Sequence, residues 1–200
     1  MRGPFSSLQE LRHAVDKECP CPLKLGAHST VFADGDPQAH LMVIGEAPGA
    51  QEDKLGKPFV GRSGKLLDAV LAEAEFSRHE GPPQARVYIT NSVFWRPPDN
   101  RPPTRDEIAA CRPYLMAHIG LVAPRVLLLV GHTAAKAVLE TKMMMGDLRE
   151  TPLGLDVGAG PNPLRVPVVV TYHPAYVLRN PAARPAMVAD IGRARAVMVR

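Results

Sequence analysis

Four short runs of branched apolar residues punctuate the chain at 41–44, 87–93, 126–130 and 166–172, and each predicts a strand. Between them, apolar residues recur at helical spacing. Ser7 with Glu10 forms a capping box ahead of Leu8, Leu11 and Val15, which predicts a helix over 7–18. The first strand stops at Gly45, a stretch rich in glycine and proline extends to Gly61, and Ser63 then caps a helix carrying Leu66, Leu67, Val70 and Leu71. After the second strand and Arg96-Pro97-Pro98, Thr104 with Glu107 opens a helix through Ile108, Cys111, Leu115 and Ile119. The third strand leads through Gly131 into an alanine-rich helix over 133–139. An irregular connector fills 140–165, and a closing helix covers 183–199.

Strands alternating with helices require crossover connections, so the pattern predicts a three-layer α/β/α architecture around a central four-stranded parallel sheet. A chain of 200 residues suits one such domain, spanning 1–200. In open parallel sheets the ligand sits outside the carboxyl ends of the strands. The polar residues that follow these four strands are Glu46, Asn91, His132 and His173, which places them at one edge.

Composition narrows the class. The chain is 46% apolar and 22% charged, and no apolar run approaches the ~18 residues of a membrane span. Twenty-one prolines mark loops of a folded domain, since Pro and Gly together stay below the ~25–30% of low-complexity sequence. Three cysteines, an odd number, and an N-terminus without an apolar signal core predict a cytoplasmic protein without a disulfide framework. Residues 1–100 carry 11 basic and 13 acidic side chains and residues 101–200 carry 13 and 7. The arginines from Arg179 to Arg200 would favour a polyanion, although a solvated helix face fits the same charges.

Several residues could carry chemistry. Glu46 lies in Gly45-Glu46-Ala47-Pro48-Gly49, with Glu52 and Asp53 following in the same loop. This segment lacks the spacing of a dinucleotide or Walker phosphate loop. Phe59, in Lys57-Pro58-Phe59-Val60-Gly61, could offer a stacking face to a base. Asn91 has an amide able to donate and accept, which suits the edge of a pyrimidine. His173 opens a proline-bracketed loop whose Tyr176, Val177, Leu178 and Arg179 could enter a base stack and hold phosphate. Alone, each also fits a plainer role: a solvated turn glutamate, a loop anchor in the core, a strand-end cap and a structural histidine.

Taken together, these segments resemble the family 4 uracil-DNA glycosylases. Residues 45–53, with Gly56-Lys57-Pro58-Phe59-Val60-Gly61 and Gly64-Lys65-Leu66-Leu67-Asp68 behind them, are similar to the family's first motif. Tyr88-Ile89-Thr90-Asn91 before Arg96-Pro97-Pro98-Asp99-Asn100-Arg101 resembles the central one, and His173-Pro174-Ala175-Tyr176-Val177-Leu178-Arg179 the last. The order and spacing agree over roughly residues 18–195. The resemblance implies a monomeric DNA-repair hydrolase acting on uracil in single- or double-stranded DNA, without a membrane or a diffusible cofactor. It implies that Glu46 is the catalytic carboxylate, with Glu52 a further acidic position, and that Phe59 stacks the uracil. Asn91 would read the base edge, Ala47 line the substrate site, and His173 contact a carbonyl oxygen of the leaving base. The competing readings are a DNA-binding module that keeps the fold without chemistry and a flavodoxin-like nucleotide binder.

One departure stands out. The family commonly binds a four-iron cluster through four cysteines, and the corresponding positions here read Glu18, Cys21, Trp95 and Cys111, with Cys19 offset by one. A cluster held by four thiolates is arithmetically excluded in a chain with three cysteines. The expectation is therefore no metal and no cluster, with the Trp95 indole filling the space. The alternative is three thiolates plus a fourth ligand such as His28.

Overall fold

A computed structural model of the protein describes residues 5–158 and 163–198. Its strands are β1 (Asp34–Gly35), β2 (Leu41–Gly45), β3 (Val87–Asn91), β4 (Val126–Val130), β5 (Leu153–Val157) and β6 (Leu164–Thr171), in the spatial order β1-β3-β2-β4-β6-β5. The four central strands are parallel, as the alternating pattern predicts. Every residue of β2, β3 and β4 is buried, as expected of parallel strands covered on both faces.

The helices are α1 (Leu8–Glu18), α2 (Ala50–Leu55), α3 (Arg62–Glu73), α4 (Arg105–Val122), α5 (His132–Leu139), α6 (Met145–Glu150), α7 (Pro174–Arg179) and α8 (Arg184–Met198). Successive strand residues point to opposite faces, so one strand supplies two cores. Leu41 and Val43 join Leu67 and Leu71 of α3 and Ile191 of α8 on one face. Met42 and Ile44 meet Leu115 and Ile119 of α4 and Val138 of α5 on the other. A third cluster lies outside the sheet, where Leu11 and Val15 of α1 pack with Phe94, Trp95 and all three cysteines. No helix among the described residues is long and apolar enough to cross a membrane.

The structure extends the expected architecture in four places. The sheet has six strands, not four, because short antiparallel strands β1 and β5 close its edges. Within the connector expected to be irregular lie α6 and β5, whose Leu153, Leu155 and Val157 alternate with Gly154 and Asp156 in strand fashion. The Gly/Pro stretch after β2 contains α2, and α3 starts at Arg62 with Gly61 as its cap, ahead of Ser63. The proline-bracketed segment after His173 is α7, not a loop. The expected end of the closing helix, Val199, lies outside the described residues, as does Arg200.

The arginines of α8 are engaged in ion pairs. Arg184 pairs with Glu73, Arg193 with the fully buried Asp190 at 2.8 Å, and Arg195 with Glu75 at 2.6 Å. Asp190 is gripped from the other side by Arg149 of α6 at 2.7 Å. These arginines tie α8 to α3 and hold Asp190, so within the described residues the stretch after Arg179 serves packing rather than presenting a row of free cations.

Candidate active site

The carboxyl ends of the parallel strands open into a cavity of about 630 Å³ whose lining includes Glu46, Ala47, Phe59, Asn91, His173 and Arg179. Three of the four polar residues expected at this edge therefore converge. The fourth, His132, turns away, its Nε2 within 3.0 Å of the Met143 carbonyl.

β2 and β3 are in parallel register with Gly45 opposite Asn91. Beyond that pair, the Ser92 amide donates to the Gly45 carbonyl at 2.9 Å and its hydroxyl to the Glu46 carbonyl at 2.5 Å. The backbone that carries Glu46 is thereby pinned to the strand that carries Asn91. The Glu46 side chain is half-buried and makes no hydrogen bond among the described residues, leaving its carboxylate free towards the cavity.

Asn91 is 1% exposed, and neither its Oδ1 nor its Nδ2 has a hydrogen-bond partner. Leaving both ends of a buried amide unpaired costs roughly 1–3 kcal/mol per group, so a strand-end cap does not account for it. An amide bordering a cavity with a free donor and a free acceptor is complementary to a ligand edge offering the reverse.

Phe59 packs against the core with one side of its ring and borders the cavity with the other. Its ring centroid lies 6.0 Å from that of His173, the two planes inclined by 36°. Its backbone has φ +52°, a left-handed conformation uncommon for a bulky residue. Gly45 forms the floor under it, for a Cβ there would lie 2.4 Å from the ring.

Glu52 serves this loop. One carboxylate oxygen accepts from the Val60 and Gly61 amides at 2.9 and 2.8 Å, and the other from Gly49 at 3.2 Å. With both oxygens bound to backbone, Glu52 holds two loops together.

His173 caps α7, its Nδ1 accepting from the Ala175 amide at 3.2 Å. That acceptor role assigns the proton of the neutral ring to Nε2, making it a donor. Burial is the main influence pulling the imidazole below its usual pKa; the Glu46 carboxylate opposes it, Arg179 lowers it further and Glu52 raises it. At neutral pH the ring is uncharged.

Of the four residues expected to face DNA after His173, Tyr176 and Leu178 are 42% and 41% exposed and Arg179 lines the cavity. Val177 does not face outwards: it is 2% exposed and packs in the core. Sequence reading missed Arg62, Asn100 and Arg101, which also line the cavity. The turn bearing Asn100 and Arg101 has Asp99 and Asn100 at positive φ, with Arg96 Nε donating to Asn100 Oδ1 at 2.8 Å. The run Arg96-Pro97-Pro98-Asp99-Asn100-Arg101 between a strand end and a helix was the available signal.

The three thiols converge in the third cluster: Cys19 Sγ lies 3.6 Å from the Ala110 carbonyl and Cys21 Sγ 3.8 Å from that of Glu107. The Cys111 thiol lowers the pKa of Cys19, to about 7, by hydrogen bonding. Trp95 packs in the same cluster, 2% exposed, its indole N–H donating to Thr30 Oγ1 at 3.0 Å. A buried, hydrogen-bonded indole at the position of a thiolate does not fit a four-cysteine cluster.

A mainly parallel sheet with helices on both faces, whose strand ends open into a cavity bordered by a carboxylate, an unpaired amide, an aromatic ring and a histidine, defines an α/β protein with a polar cleft at its strand ends. The sequence profile of the Uracil DNA glycosylase superfamily matches residues 32–193, and the chain belongs to that superfamily. It is 42% identical over 185 residues to a protein named Type-4 uracil-DNA glycosylase from Pyrobaculum aerophilum, covering 88% of this chain and 87% of the relative. Proteins of the same name from Thermotoga maritima and Sulfurisphaera tokodaii are 37% and 34% identical, covering 86% and 98% of this chain and 84% and 86% of theirs.

Proposed function

We propose that the protein hydrolyses the bond between uracil and C1′ of deoxyribose in DNA, releasing free uracil and leaving an abasic site for repair. The observation that carries this reading is Asn91: a buried amide with donor and acceptor both unpaired, flanked by an aromatic face and a histidine donor. Its Oδ1 accepts from N3–H of uracil and its Nδ2 donates to O4, a pattern that cytosine reverses.

Breaking the bond develops positive charge on the sugar and negative charge on the pyrimidine. The neutral His173 donates from Nε2 to the base oxygen, and Glu46 stabilises the sugar cation or orients the water whose oxygen bonds to C1′. The departing base leaves with the bonding electrons and takes up a proton as free uracil. The target nucleotide leaves the stack to reach the cavity, at a cost of a few kcal/mol that is least in single strands. We place the protein as a cytoplasmic monomer acting on uracil in single- or double-stranded DNA; its three unpaired thiols suit a reducing compartment.

Oligonucleotides bearing one deoxyuridine test this directly, with free uracil and alkali-labile sites as readouts. The wild-type protein releases uracil, and His173→Ala slows release by on the order of 10²–10³-fold, the usual loss for one transition-state donor. DNA binding without release would make this a binding module instead. Asn91→Asp, which presents two acceptors to an edge offering one donor and one acceptor, lowers the rate as well.

The same reading includes activity without an iron–sulfur cluster, supported by the Trp95 packing. Anaerobically purified protein should be colourless, iron-free and active. Stoichiometric iron with broad visible absorbance would show that three thiolates and a fourth ligand hold a cluster after all.

A further inference from the structure

Behind Phe59 lies a second cavity, of about 670 Å³, bordered by Asp34, Asp68, Phe59 and Arg78. Phe59 thus borders both cavities. Core packing holds only part of its ring, so the backbone that carries it must also be fixed. Its backbone also sits in the left-handed region, which a non-glycine residue keeps only when its surroundings hold it there.

The holding group on the far side is Arg78, whose side chain is 9% exposed. Its Nη1 donates to the Pro58 carbonyl at 2.8 Å and its Nη2 to the Phe59 carbonyl at 2.6 Å. Asp68 accepts from Nε at 2.7 Å and Asp34 from Nη1 at 3.3 Å, so the guanidinium is itself aimed from two sides. On the near side, Glu52 takes the amides of Val60 and Gly61. Gly64 completes the grip, since a Cβ there would lie 1.8 Å from the Phe59 carbonyl oxygen. The carbonyls of Pro58 and Phe59 and the amides of Val60 and Gly61 are each bound to a charged side chain.

We infer that Arg78 is a positioning residue for base recognition: its planar fork, by gripping two successive carbonyls, fixes the Phe59 ring as the stacking wall opposite His173. This rests on the proposed action on uracil. Lysine cannot replace arginine here, because a single ammonium cannot span both carbonyls and both carboxylates in one plane. A loosened ring still admits DNA but seldom aligns the base with His173 and Glu46, so the loss falls on the chemical step.

The test is a double-mutant cycle on single-turnover uracil release from a single-stranded oligonucleotide at saturating protein, with oligonucleotide affinity and thermal unfolding followed in parallel. Arg78→Lys, which keeps the charge facing Asp34 and Asp68, is expected to slow release by on the order of 10–100-fold, as small misplacements of reacting groups do, with affinity changed less than about twofold. In a Phe59→Ala background the same substitution should cost less than about twofold, because there is no ring left to hold. An unchanged rate for Arg78→Lys, or its full loss repeated in the Phe59→Ala background, would overturn the inference. Absence of uracil release by the wild-type protein would instead overturn the proposed function. The clamp is then judged by hydrogen exchange: faster exchange of the Val60 and Gly61 amides in Arg78→Lys upholds it, and unchanged exchange refutes it.

Discussion

Gly45 is where one missing methyl group decides the site. A Cβ at this position would lie 2.4 Å from the Phe59 ring and 2.5 Å from Asn91 Oδ1, so alanine would displace both the ring and the amide to which the proposed function gives the base. Gly45→Ala is expected to lower single-turnover uracil release by on the order of 10²-fold with little change in affinity for single-stranded DNA, as displacements near 1 Å do. A rate within twofold of wild type would show that ring and amide have room to retreat. In sequence, Gly45 reads as the end of a strand and the start of a motif. Its second meaning comes from Phe59 and Asn91, which chain folding brings against it. The same holds for Glu52: its position in the motif is legible, but its three amide donors come from two different loops, so only the assembled loop assigns it to holding Phe59.

At the level of the element, the proposed function makes α7 the link between catalysis and DNA contact. His173 is its N-cap and, in the proposed reaction, the donor to the base, and Pro174 fills the first helical position, where a missing N–H costs nothing. Six residues between two prolines carry too little periodicity to announce a helix. As α7 packs on the core, it turns Val177 inwards and leaves Tyr176 and Leu178 outwards. The Tyr176 ring already stacks on Tyr172, with centroids 5.1 Å apart, which leaves Leu178 as the free apolar side chain. Leu178→Ala should therefore slow release from duplex DNA by roughly tenfold, because part of the unstacking cost of a few kcal/mol goes uncompensated, while single strands lose less than about twofold. Equal losses on both substrates would remove Leu178 from the stack. The arginines of α8 teach the converse: their charge is plain in sequence, but the partners of Arg184 and Arg195, Glu73 and Glu75, are assigned only by how the chain packs.

Across the whole molecule, His118 joins the sheet, α4 and the third cluster. Its ring is fully buried, stacks on Phe32 with centroids 4.4 Å apart and shares a 2.9 Å hydrogen bond with the Tyr88 hydroxyl. Burial pushes its pKa down to about 3 from the ordinary 6.5. Above pH 6.5 the residue is neutral in folded and unfolded chains alike and adds no pH dependence. Below that, the unfolded chain binds a proton that the folded one refuses, so stability falls by about 1.4 kcal/mol per pH unit until near pH 3. Denaturant unfolding between pH 6.5 and 5 should show this slope, reduced in His118→Gln; identical slopes in both proteins would refute it. From sequence alone, the alternation of apolar runs and helical periods determined the four parallel strands, the two covering layers and the edge where Glu46, Asn91 and His173 gather. It could do so because burial on both faces and crossover connections are properties of each segment by itself. Tertiary structure alone decided that Asn91 is left unpaired, that Phe59 is gripped from both sides, that Val177 faces inwards and that His132 turns away. Those outcomes depend on which distant groups arrive at the same place, and hydrogen bonding and close packing are settled between neighbours in space rather than along the chain.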